Sequence, residues 1–241
     1  MLKKDYDSIQ KKLVNWIKQQ VKDSETQGVI VGLSGGIDSS VTAVLCKKAF
    51  PDYTIGIIMP CNSNPQDQKD AKEIASQFSI NFEIINLEDT FQTLLDSIPV
   101  KNLDKIAKAN IKPRLRMTVL YYYSNLYNYL VAGTGNRSEL KLGYFTKYGD
   151  GGVDIEPLGN LVKLEVKKIA KILNIPKKII NKSPSAGLWE GQKDENELGI
   201  SYQKIDKYIL TGKGTKNTKN IVKNLIANNK HKLKPPLIPE L

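Results

Sequence analysis

The feature that most constrains this chain is the apolar run GVIVGL at residues 28–33, which leads directly into the loop SGGIDS at residues 34–39. A helical pattern follows from about residue 40 to residue 49. A strand that ends in glycines and enters a helix directs backbone N–H groups toward one point, and this arrangement binds phosphate. Gly35 and Gly36 let a ligand approach the backbone, and Ser34 and Ser39 add hydroxyl groups. The sequence therefore predicts a phosphate site at the end of a buried strand.

Asp38 is unexpected in a loop that binds only anions, because its negative charge repels phosphate. It fits a loop that also holds the Mg²⁺ that accompanies bound phosphates. No lysine follows the glycines, so the loop differs from G-x-x-x-x-G-K-[ST] and does not favour transfer of the terminal phosphate. The alternative interpretation is a simple strand-to-helix turn capped by aspartate and serine side chains.

Strand and helix patterns alternate through the first half of the chain. Apolar runs at residues 53–59 and 81–87 predict strands, and helical spacing is present at residues 6–21, 66–78 and 161–173. A long helical pattern runs from residue 103 to about residue 130, with Pro113 as a kink or boundary, and a strand end follows at residues 131–133. The alternation predicts a doubly wound, mainly parallel α/β sheet with helices on both faces.

Two irregular segments interrupt the second half. Residues 143–159 and 183–191 are rich in glycine and lack a helical or strand period, whereas helices are predicted at about 195–210 and 218–229. We expect residues 143–154 and 183–192 to be mobile without ligand and to close over the substrates. The tail HKLKPPLIPE is expected to lie extended. We expect residues 1–241 to form one domain, because no linker separates two units.

The formal net charge of +11 favours an anionic partner, which means nucleic acid, a membrane surface or a phosphate-rich small molecule. Two cysteines, Cys46 and Cys61, do not form a disulfide framework or a zinc site. The amino terminus lacks the apolar run that a signal peptide carries. No stretch of the sequence is long and apolar enough to match a membrane span. A cytoplasmic location without a membrane partner is expected.

The SGGIDS loop resembles the pyrophosphate loop of the N-type ATP pyrophosphatases, which split ATP between the α and β phosphates and activate a substrate as its adenylate. Four more segments resemble the NAD synthetases in particular. They read NIKPRLRM at 110–117, GTGNRSE at 133–139, FTKYGDGGVDIEPLGNLVK at 145–163 and SPSAGLWEGQKDENELG at 183–199. This resemblance covers nearly the whole chain. It implies a Rossmann-like ATP pyrophosphatase fold and the amidation of deamido-NAD to NAD by ammonia, with ATP as co-substrate.

The resemblance also implies roles for the matching residues. Asp38 and Glu139 match Mg²⁺ ligands, although a glutamate at a helix N-terminus also suits the helix dipole. ATP binding is implied for Gly32, Leu33, Ser34, Gly35, Gly36, Ile37, Asp38, Ser39, Thr134, Lys163 and Ser185. Deamido-NAD binding is implied for Arg114, Lys147, Asp154, His231 and Lys232, and a part in the chemistry for Asp38, Asp154, Lys163 and Ser185. Ser185 departs from the expected threonine but keeps the hydroxyl group.

Ammonia is mostly ammonium at neutral pH, so a group must accept its proton, and Asp154 and nearby carboxylates are the candidates. Free ammonia is expected as the nitrogen source, because the length leaves no room for the amidase domain of glutamine-dependent members. The resemblance implies a homodimer, for which the tyrosine-rich helix at residues 119–127 is a plausible interface; the same tyrosines also suit the core.

Two other functions are compatible with the sequence. One is a nucleic-acid-modifying member of the same pyrophosphatase group, which the lysine excess favours but the lack of placed cysteines and RNA-binding domains does not. The other is a nucleotide-binding module without catalysis, which does not need two long glycine-rich segments. We therefore expect small-molecule substrates and no nucleic-acid partner.

Overall fold

A parallel sheet lies at the centre of the molecule, whose computed structural model describes residues 4–100, 104–189 and 191–239. Within these residues the sheet has four strands in the order β3-β2-β1-β4, and every neighbouring pair is parallel. The strands are β1 (Gly28–Gly32), β2 (Thr54–Ile58), β3 (Asn81–Ile84) and β4 (Tyr129–Ala132). The chain builds the sheet outward from β1 through β3 and then returns to the other side of β1.

That return creates a switch point between β1 and β4, and a crevice at the carboxyl ends of these strands is the usual ligand site of such a sheet. The central strand is apolar on both faces. Val29 and Val31 pack into one hydrophobic cluster, and Ile30 packs into the cluster on the opposite face. The continuous apolar run of β1 follows from this two-sided burial.

Helices cover both faces of the sheet. One face carries α1 (Tyr6–Asp23), α2 (Ile37–Ala49), α3 (Pro65–Gln77), α8 (Lys163–Ile172) and α9 (Lys177–Ile180). The other face carries α4 (Glu88–Ser97) and α6 (Ile111–Tyr127), preceded by the short α5 (Lys105–Ala109). The predicted doubly wound α/β fold is confirmed. Among the described residues, no helix combines the length and the apolar character needed to cross a membrane.

A third cluster joins the carboxyl-terminal helices to the end of the sheet that carries the crevice. Its helices are α7 (Arg137–Leu142), α10 (Asp194–Leu198), α11 (Tyr202–Thr211) and α12 (Lys216–Asn229), and a 3₁₀ turn (Lys230–Leu233) follows. Leu142 and Ile205 are completely buried within it. This cluster therefore fixes the positions of the segments that follow β4.

The structure differs from the sequence-based expectation at several boundaries. Helix α4 was not predicted, and only Phe91 of its residues is buried. The long helical pattern breaks at Asn110, so that Pro113 is the third residue of α6, where its missing N–H has no intrahelical partner to lose. The pattern predicted from residue 195 breaks at Gly199, whose φ of +65° ends α10. Residue 103, where the long helix was predicted to begin, lies outside the described residues.

Candidate active site

The phosphate loop lies between β1 and α2, and its two serines brace it. The hydroxyl oxygens of Ser34 and Ser39 are 2.9 Å apart, and Gly36 N–H donates to Ser34 Oγ at 3.2 Å. Gly35 has a φ of +75°, and a Cβ on it would lie 2.2 Å from the carbonyl oxygen of Asp67. Only glycine fits that position. The N-terminus of α2, which begins at Ile37, points into the crevice from this loop.

Lys163 joins the two acidic residues predicted as metal ligands. Its Nζ lies 2.5 Å from Asp38 Oδ2 and 2.9 Å from Glu139 Oε1. The lysine side chain is 4% exposed, and the carboxylates are 16% and 17% exposed. Asn136 Nδ2 also donates to Asp38 Oδ1 at 3.0 Å. The side-chain ammonium of Lys163 is thus the point where three elements meet: the loop after β1, the turn after β4 and the start of α8.

Local sequence explains why Glu139 reaches this position. Asn136 and Glu139 form a reciprocal capping box at the start of α7, in which the asparagine side chain accepts from backbone N–H groups and the glutamate accepts from Asn136 N–H. Glu139 therefore caps the helix with Oε2 while Oε1 contacts Lys163. Glu139 can therefore stabilise the N-terminus of α7 and contact Lys163 at the same time, so the two roles that the sequence suggested for it are compatible.

Burial and neighbouring charges shift the pKa values of Glu139 and Lys163. Burial raises the pKa of Glu139 to about 7, the negative charge of Asp38 adds to this rise, and Lys163 opposes it. Burial by itself lowers the pKa of Lys163, but the two carboxylates outweigh burial and raise this pKa above its ordinary value. Lys163 consequently stays charged at neutral pH.

A cavity of about 730 Å³ opens beside this cluster at the carboxyl edge of the sheet. The loop, the turn after β4 and both irregular segments contribute to its wall. The predicted site residues that line it are Gly32, Leu33, Ser34, Gly36, Ile37, Asp38, Ser39, Thr134, Glu139, Lys163, Ser185 and Lys232. The volume is within the range of pockets that hold a nucleotide-sized ligand.

The predicted basic ligands of the dinucleotide form a separate group. Lys147 Nζ donates to the carbonyl of His231 at 3.0 Å, and Lys232 Nζ donates to the carbonyl of Gly143 at 2.8 Å. Arg114 donates to the carbonyl of Lys147 at 3.4 Å. Of these side chains only Lys232 lines the cavity. The carboxyl-terminal turn and the first irregular segment thus hold each other through reciprocal lysine-to-backbone bonds.

Asp154 is held by other contacts than the basic group. Its Oδ1 accepts from the Tyr121 hydroxyl at 2.9 Å and its Oδ2 accepts from Val131 N–H at 2.7 Å. It does not line the cavity. Asp154 is therefore held by α6 and β4, whereas the two lysines of the basic group are held by backbone carbonyls of the first irregular segment and the carboxyl-terminal turn.

The sequence motifs predicted Arg114, which is exposed, as a ligand and did not predict Arg116. Arg116 lines the cavity, and its Nε and Nη2 donate to Met59 O at 3.1 Å and Ser63 Oγ at 3.2 Å. Burial lowers the pKa of its guanidinium. Helical spacing could have separated the two arginines, because Arg116 shares its face with Leu120, which contacts the sheet-side cluster.

Lys182 is another cavity residue that the motifs did not indicate. It pairs with Asp67 at 2.6 Å and with Asp70 at 2.7 Å, and it reaches the carbonyl of Gly35 at 3.4 Å. The residue immediately precedes the second irregular segment, so it ties that segment to α3 and to the phosphate loop. Only the fold reveals this contact, because its partners are more than a hundred residues away in the sequence.

With a phosphate loop at the switch point of a parallel sheet, the chain belongs to the class of nucleotide-binding α/β proteins. Comparisons with known proteins narrow that class. A family model described as NAD synthase matches residues 9–236. The NH(3)-dependent NAD(+) synthetase of Carboxydothermus hydrogenoformans is 52% identical over 95% of this chain and 96% of its own length. The chain belongs to the NAD synthase family.

Solved structures agree with this assignment. The NMN synthetase of Francisella tularensis is 37% identical and superposes with a TM-score of 0.95, covering 99% of this chain and 100% of that chain. The NH3-dependent NAD synthetase of Campylobacter jejuni subsp. jejuni, solved with a nitrate ion, is 33% identical with a TM-score of 0.82 over the same shares. The similarity extends over the whole fold, including the carboxyl-terminal helices.

Proposed function

We propose that this protein catalyses the ATP-dependent amidation of deamido-NAD to NAD with ammonia. The reaction passes through a nicotinate adenylate and releases AMP and pyrophosphate. The observation that carries the proposal is the buried Lys163, held between Asp38 and Glu139 beside a phosphate loop in a cavity large enough for nucleotides. Family membership supports the choice of this reaction among the ATP pyrophosphatases.

The phosphate-binding elements supply the positive potential that the reaction needs. ATP carries a large negative charge, and more charge develops on the leaving pyrophosphate and AMP. The N-terminus of α2 and the loop N–H groups suit the β and γ phosphates. Lys163 and the Ser185 hydroxyl border the same cavity and are proposed to contact the phosphates, and Thr134 is proposed to bind ATP. Preorganised groups of this kind lower the barrier because they need not reorient during the reaction.

Asp38 and Glu139 are proposed to hold Mg²⁺ with ATP. They fit a divalent cation because their carboxylate oxygens already converge on one buried cation, the ammonium of Lys163. Mg²⁺ characteristically takes one or two protein carboxylates and completes its shell with substrate phosphates and water. When bound, the metal neutralises phosphate charge. With Mg²⁺ bound, Lys163 would be available to contact the phosphates, and the capping box would keep Glu139 in place.

The dinucleotide is proposed to bind through Arg114, Lys147, Asp154, His231 and Lys232. We also propose a homodimer, as the family resemblance implies. The exposed face of α6 offers an interface: Tyr122 is 65% exposed and Leu126 is 58% exposed. Exposed apolar patches of this kind commonly mark protein contacts. We also propose a single catalytic domain and a cytoplasmic location, which suits an enzyme that consumes ATP and keeps two free cysteines.

The direct test is to incubate the purified protein with ATP, Mg²⁺ and deamido-NAD and to supply either ammonium or glutamine. We expect NAD, AMP and pyrophosphate in equal amounts with ammonium and no NAD with glutamine. Equal NAD formation from glutamine would contradict ammonia dependence. AMP release that does not require deamido-NAD would contradict the adenylate route.

A second candidate substrate is nicotinate mononucleotide, whose amidation gives NMN. The TM-score of 0.95 to the NMN synthetase of Francisella tularensis favours it, since the NAD synthetase of Campylobacter jejuni gives 0.82. Both substrates carry the same nicotinate carboxylate, so the chemistry is unchanged. Comparing kcat/KM for the two substrates under identical conditions decides between them, and we expect the larger value for deamido-NAD.

The homodimer gives a separate prediction. We expect the chain to sediment as a dimer, and the double variant Tyr122→Lys, Leu126→Lys to sediment as a monomer, because two charges would be buried in the apolar contact. A matched variant with lysines at the exposed positions Leu237 and Ile238 keeps the same change in charge on the tail. A dimer that survives the α6 substitutions would exclude α6 as the interface.

A further inference from the structure

A chain of carboxylates and phenols leads from the cavity wall to the protein surface. Asp194 is 4% exposed, and its Oδ1 lies 3.2 Å from the Tyr144 hydroxyl. The same hydroxyl hydrogen-bonds to Glu197 Oε2, whose residue is exposed. All three residues line the cavity. A single phenol proton therefore lies between a buried carboxylate and an exposed one.

Asp194 also adjoins the reacting groups. Ala186 N–H, next to the proposed phosphate contact Ser185, donates to Asp194 Oδ1 at 3.1 Å. On the other side, the Tyr202 hydroxyl lies 3.2 Å from Asp194 Oδ2 and 3.3 Å from Glu139 Oε1. Asp194 is thus held between the second irregular segment and the carboxylate pair, at the part of the cavity where phosphates and the adenylate would meet.

The proposed reaction needs a proton acceptor at this place. Ammonium has no lone pair, so it must lose one proton before its nitrogen attacks the acyl carbon, and the new amide nitrogen must lose a second. Asp154, which the sequence offered for this step, does not line the cavity. The carboxylates of Asp38 and Glu139 contact Lys163 and are proposed to hold Mg²⁺. Asp150 also lines the cavity, but its Oδ1 accepts from Thr146 N–H at 2.9 Å within its own turn.

We propose that Asp194 accepts the proton of ammonium and that Tyr144 and Glu197 return this proton to solvent. The inference rests on the proposed amidation. The ammonium N–H bond breaks and its proton passes to an Asp194 oxygen. The freed electron pair forms the C–N bond, and the bond from the acyl carbon to the AMP oxygen breaks with its electron pair going to AMP. Tyr144 takes the proton from Asp194 as it gives its own to Glu197, and the second proton follows the same route.

The charges around Asp194 suit this cycle. Burial raises the pKa of its carboxyl above the usual range; Lys163 and hydrogen bonds from Tyr202 and Tyr144 oppose that rise, and the charge of Asp38 adds to it. A raised pKa makes Asp194 a stronger proton acceptor than an exposed aspartate. The neighbouring Glu197 is exposed, so a proton that arrives there exchanges with water.

Asp194→Asn tests the acceptor, because the amide oxygen still accepts from Ala186 N–H but takes no proton. We expect kcat/KM for ammonium to fall roughly 100-fold at neutral pH. Hydroxylamine, which is largely unprotonated at neutral pH, has to lose only the second of the two protons, so we expect its rate to fall much less than the rate with ammonium. At alkaline pH, where free ammonia is abundant, the defect with ammonia should shrink. Equal loss with both nucleophiles at every pH would overturn the proposal, as would an unchanged rate with ammonium.

Tyr144→Phe tests the exit path while leaving Asp194 in place. We expect a loss with ammonium that hydroxylamine again relieves, whereas Tyr208→Phe on α11, which packs in the same cluster, should change neither rate. Similar effects of the two tyrosine substitutions would overturn the path. Exchange of pyrophosphate into ATP, dependent on deamido-NAD and without ammonium, should persist in every variant. If the unmodified enzyme lacks this exchange, the proposed function itself fails.

Discussion

Replacing Asp38 by asparagine is expected to lower kcat roughly 1000-fold while leaving the fold intact, because several kcal/mol of charge stabilisation are lost from the phosphate site. The amide keeps the shape of the side chain, and its oxygen can still accept from Asn136 or from Lys163, whose nitrogens lie 3.0 and 2.5 Å from the two present carboxylate oxygens. Its NH2 group cannot accept from the other of these donors. What the variant loses is the negative charge that is proposed to hold Mg²⁺.

The measurement is the rate of NAD formation as a function of Mg²⁺ concentration, accompanied by thermal unfolding. Asp52→Asn is a suitable control, since Asp52 is an exposed aspartate in the turn before β2. We expect the control to retain the normal rate and the normal dependence on Mg²⁺. An Asp38→Asn enzyme with unchanged Mg²⁺ dependence would exclude Asp38 as a metal ligand.

The second large effect concerns stability. Among the contacts described for Asp38 and Glu139, Lys163 is the only cation between them, and Lys163→Met removes it. Removing one partner of a buried ion pair typically lowers the unfolding free energy by about 3–5 kcal/mol. Activity should also be lost, because Lys163 is proposed to contact the phosphates. The stability loss is measured by denaturant unfolding at several pH values.

The pH dependence of this loss distinguishes a charge effect from a packing effect. In the folded protein the pKa of Glu139 is raised from 4.5 to about 7, so folding favours its protonated form and deprotonation on raising the pH costs stability. Without Lys163 this pKa rises further. The charge part of the destabilisation should therefore be largest well above pH 7 and should be lost as the pH falls below about 7, where Glu139 is protonated with or without Lys163. Lys171→Met, at an exposed position of the same helix, should show neither effect. A loss independent of pH would indicate packing alone.

Local sequence was sufficient to predict the phosphate loop, because Ser34, Gly35 and Asp38 act within one turn whose geometry those residue types determine. The parallel sheet was predictable for a similar reason, since two-sided burial leaves an uninterrupted apolar run in β1. Helix α4 was not predicted although Phe91, Leu94 and Leu95 have helical spacing; only Phe91 of its residues is buried.

The proposed proton path was not predictable from spacing. Tyr144 and Asp194 are separated by 50 residues, and their contact depends on how α10 packs beside the first irregular segment. In the sequence Asp194 is one of three acidic residues in the first turn of a short helix. Acidic residues are common at this position because they interact favourably with the positive end of the helix dipole, so their presence does not indicate a catalytic role. Family resemblance also could not indicate that Arg114 and Asp154 would lie outside the cavity wall.

The reciprocal bonds between Lys147 and the carbonyl of His231, and between Lys232 and the carbonyl of Gly143, have a practical consequence. Each segment holds the other in place, so we expect the predicted closure of residues 143–154 on substrate binding to move the carboxyl-terminal turn as well. A fluorophore attached just beyond that turn would report substrate engagement without occupying the cavity. For the same reason, we expect a bulky purification tag at the carboxyl terminus to disturb these bonds more than a tag at the amino terminus.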